Sequence, residues 1–196
     1  MMMVRILSAY KVYTSGIVYD GSHTEPNDEA SPYVYRHAVN AILNGTGVCW
    51  CFARGFSFIL CQLGVESLTV HGLRTGDAAI HEWVCFRDGD EWRYCDPTWD
   101  IGGQSLSYFG YTINVREHQG YPERDVSVLE GTAHRASDHF NVSDRFFRPL
   151  YSGECWGANY EIDCENNAIL FGDYNDGGEY APARSFSLAT GEVTEL

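Results

Sequence analysis

The spacing of apolar residues predicts three helices in the first third of the chain. The clearest pattern covers residues 49–63, where apolar side chains recur every three to four positions along one stripe. Gly64 follows at the position where a left-handed residue commonly ends a helix. Similar patterns predict helices over residues 5–15 and 33–43, each followed by a glycine-containing turn.

Three strands are predicted after these helices, over residues 67–72, 81–87 and 91–96. The dipeptide Asp88-Gly89 between the last two is a strong signal for a two-residue hairpin turn. The last two strands are therefore predicted to pair in antiparallel fashion.

The hairpin turn also predicts which residues oppose each other across the two strands. If Arg87 faces Asp90, then His81 faces Asp96. Directly opposed residues have Cβ atoms about 5 Å apart, so an imidazole would lie beside a carboxylate. A slip of one residue would put the two side chains on opposite faces of the sheet.

The second half of the chain has a weaker pattern. Residues 101–136 show little periodicity and are predicted to be a long irregular insertion, and residues 137–150 a short helix. From about residue 158 onward, turn sequences recur roughly every ten residues, which predicts a small antiparallel meander.

Length and composition indicate one folded unit. A chain of 196 residues with 44% apolar and 20% charged residues can bury about 70% of its surface around one core. No apolar run approaches the roughly 18 residues of a membrane span. The start of the chain does not resemble a signal peptide. The chain has seven cysteines, and this odd number favours free thiols. Free thiols are typical of a reducing compartment and favour the cytoplasm, but the sequence leaves the compartment open.

The charge disfavours two classes of partner. Thirteen basic and 27 acidic residues give a net charge of −14. Phosphate backbones and anionic membrane surfaces are bound by lysine and arginine, so we expect neither nucleic acid nor a membrane as a partner.

Three residues have the chemistry of a thiol-dependent enzyme. A thiol nucleophile needs a base to manage its proton and a group that orients the base. Cys49 begins the clearest helix, whose positive end favours a thiolate, and the His81–Asp96 pair would supply the other two groups. The backbone N–H of Cys49 is one candidate oxyanion donor, and the sequence does not identify a second.

Several sequence strings resemble the transglutaminase-like (papain-related) superfamily of cysteine protease and acyltransferase domains. They are Gly-Val-Cys at 47–49, His-Glu-Trp-Val at 81–84 and Trp-Arg-Tyr-Cys-Asp-Pro-Thr-Trp-Asp at 92–100. The order Cys, His, Asp also matches. The resemblance covers residues 5–100 well and 101–150 loosely, and it does not extend to 151–196.

The resemblance implies an α+β, papain-like fold in which a helix bearing Cys49 packs on an antiparallel sheet bearing His81 and Asp96. Residues 1–150 would form the transglutaminase-like domain, with the insertion at about 101–136. Residues 151–196 would be a small β-meander extension packed on the same domain.

The resemblance also implies amide hydrolysis or acyl transfer through a thioester, with a protein or peptide as substrate and no metal or organic cofactor. Cys49 would attack the carbonyl and His81 would shuttle the proton. Trp50, Trp83 and Tyr94 are the predicted substrate-binding residues, since Trp83 faces Tyr94 on the His81 side of the predicted hairpin.

Two departures from the family pattern affect the pocket rather than the triad. The family commonly has Gly-Tyr-Ala after the cysteine, where this chain has Cys51 to Ala53 preceded by Trp50. Val39 stands where the family often has a tyrosine.

Two other functions stay open. A catalytically idle transglutaminase-like fold could bind peptides or proteins, and a thiol-rich metal site would hold stoichiometric zinc. The sequence does not separate hydrolysis from transamidation, and it leaves the substrate and the oligomeric state open.

Overall fold

The structure is a computed structural model. It describes residues 2–21, 33–73, 80–111, 123–126, 155 and 158–196. Within these ranges the helices are α1 (Met2–Ser15), α2 (Tyr33–Asn44) and α3 (Cys49–Gln62). All three predicted helices are therefore present, and α1 begins three residues earlier than its pattern indicated.

Two short strands lead into α3. They are β1 (Val18–Tyr19) and β2 (Thr46–Gly47), which pair in parallel.

A five-stranded antiparallel sheet follows α3 in the chain. Its strands are β3 (Ser67–Leu73), β4 (Ile80–Asp88), β5 (Glu91–Cys95), β6 (Phe109–Tyr111) and β7 (Glu123–Val126). Their order across the sheet is β6-β5-β4-β3-β7. Helix α3 packs against this sheet, and Phe52 and Phe56 of α3 share an apolar core with Val84 and Phe86 of β4.

The C-terminal residues form a second sheet, as the turn spacing predicted. Its strands are β8 (Asn159–Asp163), β9 (Ala168–Tyr174), β10 (Tyr180–Ser187) and β11 (Val193–Glu195), in the order β11-β10-β9-β8. Ile169, Phe171 and Phe186 of this sheet are buried in the same apolar cluster as α1 and α3. The architecture is thus α+β with antiparallel sheets.

The predicted irregular character of residues 101–136 is wrong in part. This segment supplies β6 and β7, which are the two edge strands of the five-stranded sheet. Strands of three and four residues are too short to give a recognisable alternation. The helix predicted over residues 137–150 lies outside the described residues.

The predicted register of the β4–β5 hairpin is also wrong, by two residues. Asp88 pairs with Glu91, so the loop is Gly89-Asp90 rather than Asp88-Gly89. Gly89 has a φ of +64° and takes the first loop position, which suits the type II′ turn that favours glycine there.

None of the helices in the described part of the chain is long and apolar enough to cross a membrane. All seven cysteines are free thiols.

Candidate active site

The pairing of β1 with β2 fixes where α3 begins. The N–H of Val18 donates to the carbonyl of Gly45 at 2.7 Å, and the N–H of Asp20 donates to that of Gly47 at 2.8 Å. Because these bonds hold the chain immediately before α3, Cys49 is placed as the first residue of the helix.

Gly47 allows this entry to pack closely on the helix. A Cβ at position 47 would lie 2.6 Å from Cys51 Cβ and 3.0 Å from its Sγ. We expect Gly47→Ala to cost about 1–3 kcal/mol of stability, as overpacking does, and to lower the melting temperature in a thermal scan. Gly21→Ala is the control, since a Cβ there would meet no atom within 4 Å. Equal melting temperatures for the two variants would contradict this expectation.

His81 and Asp96 form a buried hydrogen-bonded pair. Their Nε2 and Oδ2 atoms are 2.6 Å apart, and the side chains are 7% and 0% exposed. The other carboxylate oxygen of Asp96 accepts from the N–H of Thr98 at 3.1 Å. The pair survives the register error because a shift of two residues keeps both side chains on the same face of the sheet.

Trp99 covers this pair. Its indole Nε1 lies 3.1 Å from Nε2 of His81, and the two rings meet edge to face at 5.9 Å. A nitrogen that donates its hydrogen to Asp96 has no lone pair left for the indole. The shorter, charge-assisted bond to Asp96 therefore takes the Nε2 hydrogen. Trp99 is 47% exposed, whereas His81 beneath it is 6% exposed. The indole therefore lies between His81 and the solvent.

The thiol of Cys49 lies against the backbone of β4. It accepts hydrogen bonds from the backbone N–H groups of Trp50 and of Glu82, the residue that follows His81. Burial is the largest effect and raises the pKa of Cys49 to about 11, although both donors lower it and the one from Trp50 agrees with the prediction from the helix start. The expectation of a resting thiolate is therefore wrong, because Cys49 is only 6% exposed.

An ion pair joins the helix of Cys49 to the strand of His81. Nε of Arg54, in α3, donates to Oε1 of Glu82, in β4, at 3.0 Å. The Glu82 side chain is 2% exposed and that of Arg54 is 27% exposed. The sequence prediction missed this pair, because the two residues are 28 positions apart and no local pattern links them.

Asp100 ties the turn after Asp96 to α1. Its carboxyl group accepts hydrogen bonds from the hydroxyl of Tyr10 at 2.8 Å, the N–H of Tyr108 at 3.1 Å and the hydroxyl of Ser105 at 3.2 Å. Burial is the main cause that raises the pKa of Asp100 to about 8. The carboxyl group is therefore neutral at pH 7.

The raised pKa of Asp100 predicts a pH-dependent stability. Between the ordinary value of 3.8 and about 8, the folded protein keeps a proton that the unfolded chain has lost. Its contribution to stability is thus complete below the lower value and is lost as the pH rises towards the upper one. We expect the stability of the wild type relative to Asp100→Asn, measured by urea unfolding, to fall over this window. If the free energies of unfolding of the two proteins change equally with pH, this prediction is wrong.

The three predicted substrate-binding residues lie near the site but differ in exposure. Trp83 and Tyr94 are fully buried, with ring centroids 6.4 Å apart. The ring of Trp83 is stacked 5.9 Å from that of His81. Trp50 is half-buried against the apolar core. Their contact with substrate stays a prediction. Trp99 is an aromatic side chain that is both exposed and in contact with His81. The sequence marks it by its place in the Asp-Pro-Thr-Trp-Asp string.

Among the residues that the structure describes, no three His, Cys, Asp or Glu side chains are grouped as a metal site requires.

Comparison with solved structures shows distant likeness to known proteins. No family model matches the chain. No curated protein matches it significantly. A crystal structure from Cytophaga hutchinsonii, described as a "putative cysteine protease", aligns with a TM-score of 0.42 and 15% sequence identity. The alignment covers 62% of this chain and 35% of the other, so this chain matches about a third of that protein's length.

Proposed function

We propose that the protein is a cysteine-dependent amide hydrolase or acyltransferase that acts through a thioester on Cys49. The observation that supports this most directly is the 2.6 Å contact between Nε2 of His81 and Oδ2 of Asp96. The thiol of Cys49 is hydrogen-bonded to the backbone of the residue next to this histidine. These two contacts support a role for Cys49 as nucleophile, His81 as base and Asp96 as the carboxylate that orients the base.

The first half of the reaction makes the thioester. Because Cys49 rests as a thiol, it must lose its proton as the sulfur attacks an amide carbonyl. Nε2 of His81 is occupied by Asp96, so Nδ1 is the nitrogen that would take this proton. The C–N bond then breaks as His81 returns the proton to the leaving amine, and Asp96 stabilises the imidazolium in between.

The second half releases the acyl group. Water or an amine attacks the thioester carbonyl and gives a proton to His81, and the C–S bond breaks as the thiol of Cys49 is restored. The tetrahedral intermediates need hydrogen-bond donors for their oxyanion. The N–H of Cys49, at the start of α3, stays the proposed first donor.

The finer assignment follows the sequence resemblance. A transglutaminase-like, papain-related core with a C-terminal β extension would act on a protein or peptide substrate. We favour hydrolysis over cross-linking, since small relatives of this kind often behave as peptidases. Access to the thioester decides whether water or an amine resolves it.

Capture of the acyl-enzyme tests this proposal. We expect p-nitrophenyl acetate to transfer one acetyl group to Cys49, seen by intact-mass and peptide mass spectrometry, with a burst of nitrophenol. Cys49→Ser should remove the burst. Cys61→Ser, which changes an exposed thiol on the same helix, should keep it. Acetylation that is unchanged in Cys49→Ser would refute the proposal.

A binding module is the second candidate, and the burial of the site favours it. Cys49 and His81 are each 6% exposed, and the thiol pKa is raised rather than lowered. If the fold is catalytically idle, neither burst nor acetylation of Cys49 will occur, while the protein still binds peptides in a titration that Cys49→Ser leaves unchanged.

A further inference from the structure

We propose that Asp100 is a positioning residue for this site: it holds the turn that carries Asp96 and Trp99 against α1. The inference rests on the proposed function, because it concerns the residues that orient and cover His81. It also assigns a role to the last residue of the Asp-Pro-Thr-Trp-Asp string.

The turn is a short, internally bonded piece of chain. The N–H groups of Trp99 and Asp100 both approach the carbonyl of Asp96, at 3.2 and 3.4 Å. Asp96, Trp99 and Asp100 therefore form one unit. Contacts that hold Asp100 in place also hold the Asp96 carboxylate and the Trp99 indole that contact His81.

Tyr108 connects the two aspartates a second time. Its N–H donates to the carboxyl group of Asp100 at 3.1 Å, and its carbonyl accepts from the N–H of Asp96 at 2.9 Å. Its ring lies 5.8 Å from that of Trp99. Release of the Asp100 carboxyl group would thus loosen the backbone of Asp96 and the support of Trp99 at once.

Helix α1 is the fixed point to which the turn is attached. Tyr10 is fully buried, and its hydroxyl donates to Asp100 Oδ2 at 2.8 Å. The N–H of Gly102 donates to the carbonyl of Thr14 at 2.8 Å, which is a second bond between this segment and α1. The edge-to-face contacts of Tyr10 with Phe56 and Phe109, at 5.1 and 5.0 Å, keep its hydroxyl in place.

The charge state of Asp100 can be imitated by substitution. The titratable groups that face it are Tyr10 from α1, Cys95 from β5, Asp96 from its own turn and Tyr160 from β8. Since burial raises the pKa of Asp100 to about 8, an asparagine reproduces both the shape and the charge of this residue at pH 7.

The test compares Asp100→Ala with Asp100→Asn in the full chain, using the rate of Cys49 acetylation by p-nitrophenyl acetate. We expect the alanine variant to be slower by on the order of 10²-fold, as misplaced catalytic groups are, with little change in the apparent KM. The asparagine variant should recover most of the rate at pH 7. Its pH profile should depart from that of the wild type only above about pH 8, where the wild-type carboxyl group ionises.

Two further variants separate positioning from general stability. Ile169→Val removes a buried methylene group from the C-terminal sheet and should lower the melting temperature without slowing acetylation. Tyr10→Phe removes one of the three donors to Asp100, and it should give an intermediate rate even if Asp100→Ala does not fold.

Three results would overturn the inference. The first is a wild-type rate in Asp100→Ala or Tyr10→Phe, although Cys49→Ser abolishes acetylation and His81→Ala slows it. This result leaves the proposed function standing. The second is a loss of rate that only follows the melting temperature, in Ile169→Val as in Asp100→Ala. The third is full acetylation in His81→Ala, which removes the proposed function as well.

Discussion

His81→Ala is expected to slow the acylation of Cys49 at pH 7 by about 10²–10⁴-fold, the range that a positioned general base contributes. The reason lies in the buried thiol. Because burial raises the pKa of Cys49 to about 11, only a small fraction of the molecules carries a thiolate at pH 7. Without an imidazole to take the proton, attack depends on that small fraction.

The measurement is the pre-steady-state burst of nitrophenol from p-nitrophenyl acetate. Arg87→Ala is the matched control, since Arg87 lies near the other end of β4 and its ion pair with Glu66 is exposed to solvent. This control should keep the wild-type burst. A burst of wild-type rate in His81→Ala would mean that His81 does not act as the base.

Arg54→Met is expected to destabilise the protein by about 1.5–3 kcal/mol, the contribution of a hydrogen bond to a charged group. Glu82 is 2% exposed, and Nε of Arg54 donates to its carboxylate at 3.0 Å. The loss should appear as a lower midpoint in urea unfolding. It should also slow acylation, because this ion pair joins α3 to β4 next to Cys49.

The exposed pair between Arg87 and Glu66 provides the comparison. Its side chains are 49% and 60% exposed, so Arg87→Met should cost at most about 1 kcal/mol. The double variant Arg54→Met with Glu82→Gln should recover part of the loss, since the buried negative charge is removed as well. Equal costs for Arg54→Met and Arg87→Met would contradict a structural role for the buried pair.

Local patterns were sufficient for most elements of the fold. The apolar stripe of α3, with Gly64 after it at a φ of +77°, placed the helix that begins at Cys49. The hairpin turn was misplaced, yet His81 and Asp96 still met, because side-chain direction in a strand depends only on whether a shift is odd or even. The prediction that these two side chains meet therefore tolerates a register error of two residues.

The supporting contacts of the site could not be predicted from the sequence. Tyr10 and Asp100 are 90 positions apart, and Arg54 and Glu82 are 28 apart. Such contacts depend on how the helices dock on the sheet, and local propensity does not encode this. The strands β6 and β7 were missed for a different reason, since three and four residues are too few to show an alternation.

The pKa of Cys49 also combines a local effect with an effect of tertiary packing. The N–H of Trp50, at the helix start, lowers the thiol pKa as expected, because this is a local effect, whereas the larger contribution of the Glu82 N–H comes from β4. Burial acts in the opposite direction and is larger, and it follows from the packing of α3 against β4. Activation of the thiol is therefore proposed to come from His81 during the reaction and not from the resting charge state.

The most direct test of this proposal is the rate of Cys49 alkylation by iodoacetamide as a function of pH, in the wild type and in His81→Ala, with the modified residue identified by mass spectrometry. If His81 takes the thiol proton as the sulfur reacts, the wild-type rate at neutral pH will be far higher than that of His81→Ala and will change less with pH. The His81→Ala rate will instead rise about tenfold per pH unit towards the thiol pKa of about 11. Two parallel curves that both rise towards that value would show that no working Cys–His pair exists.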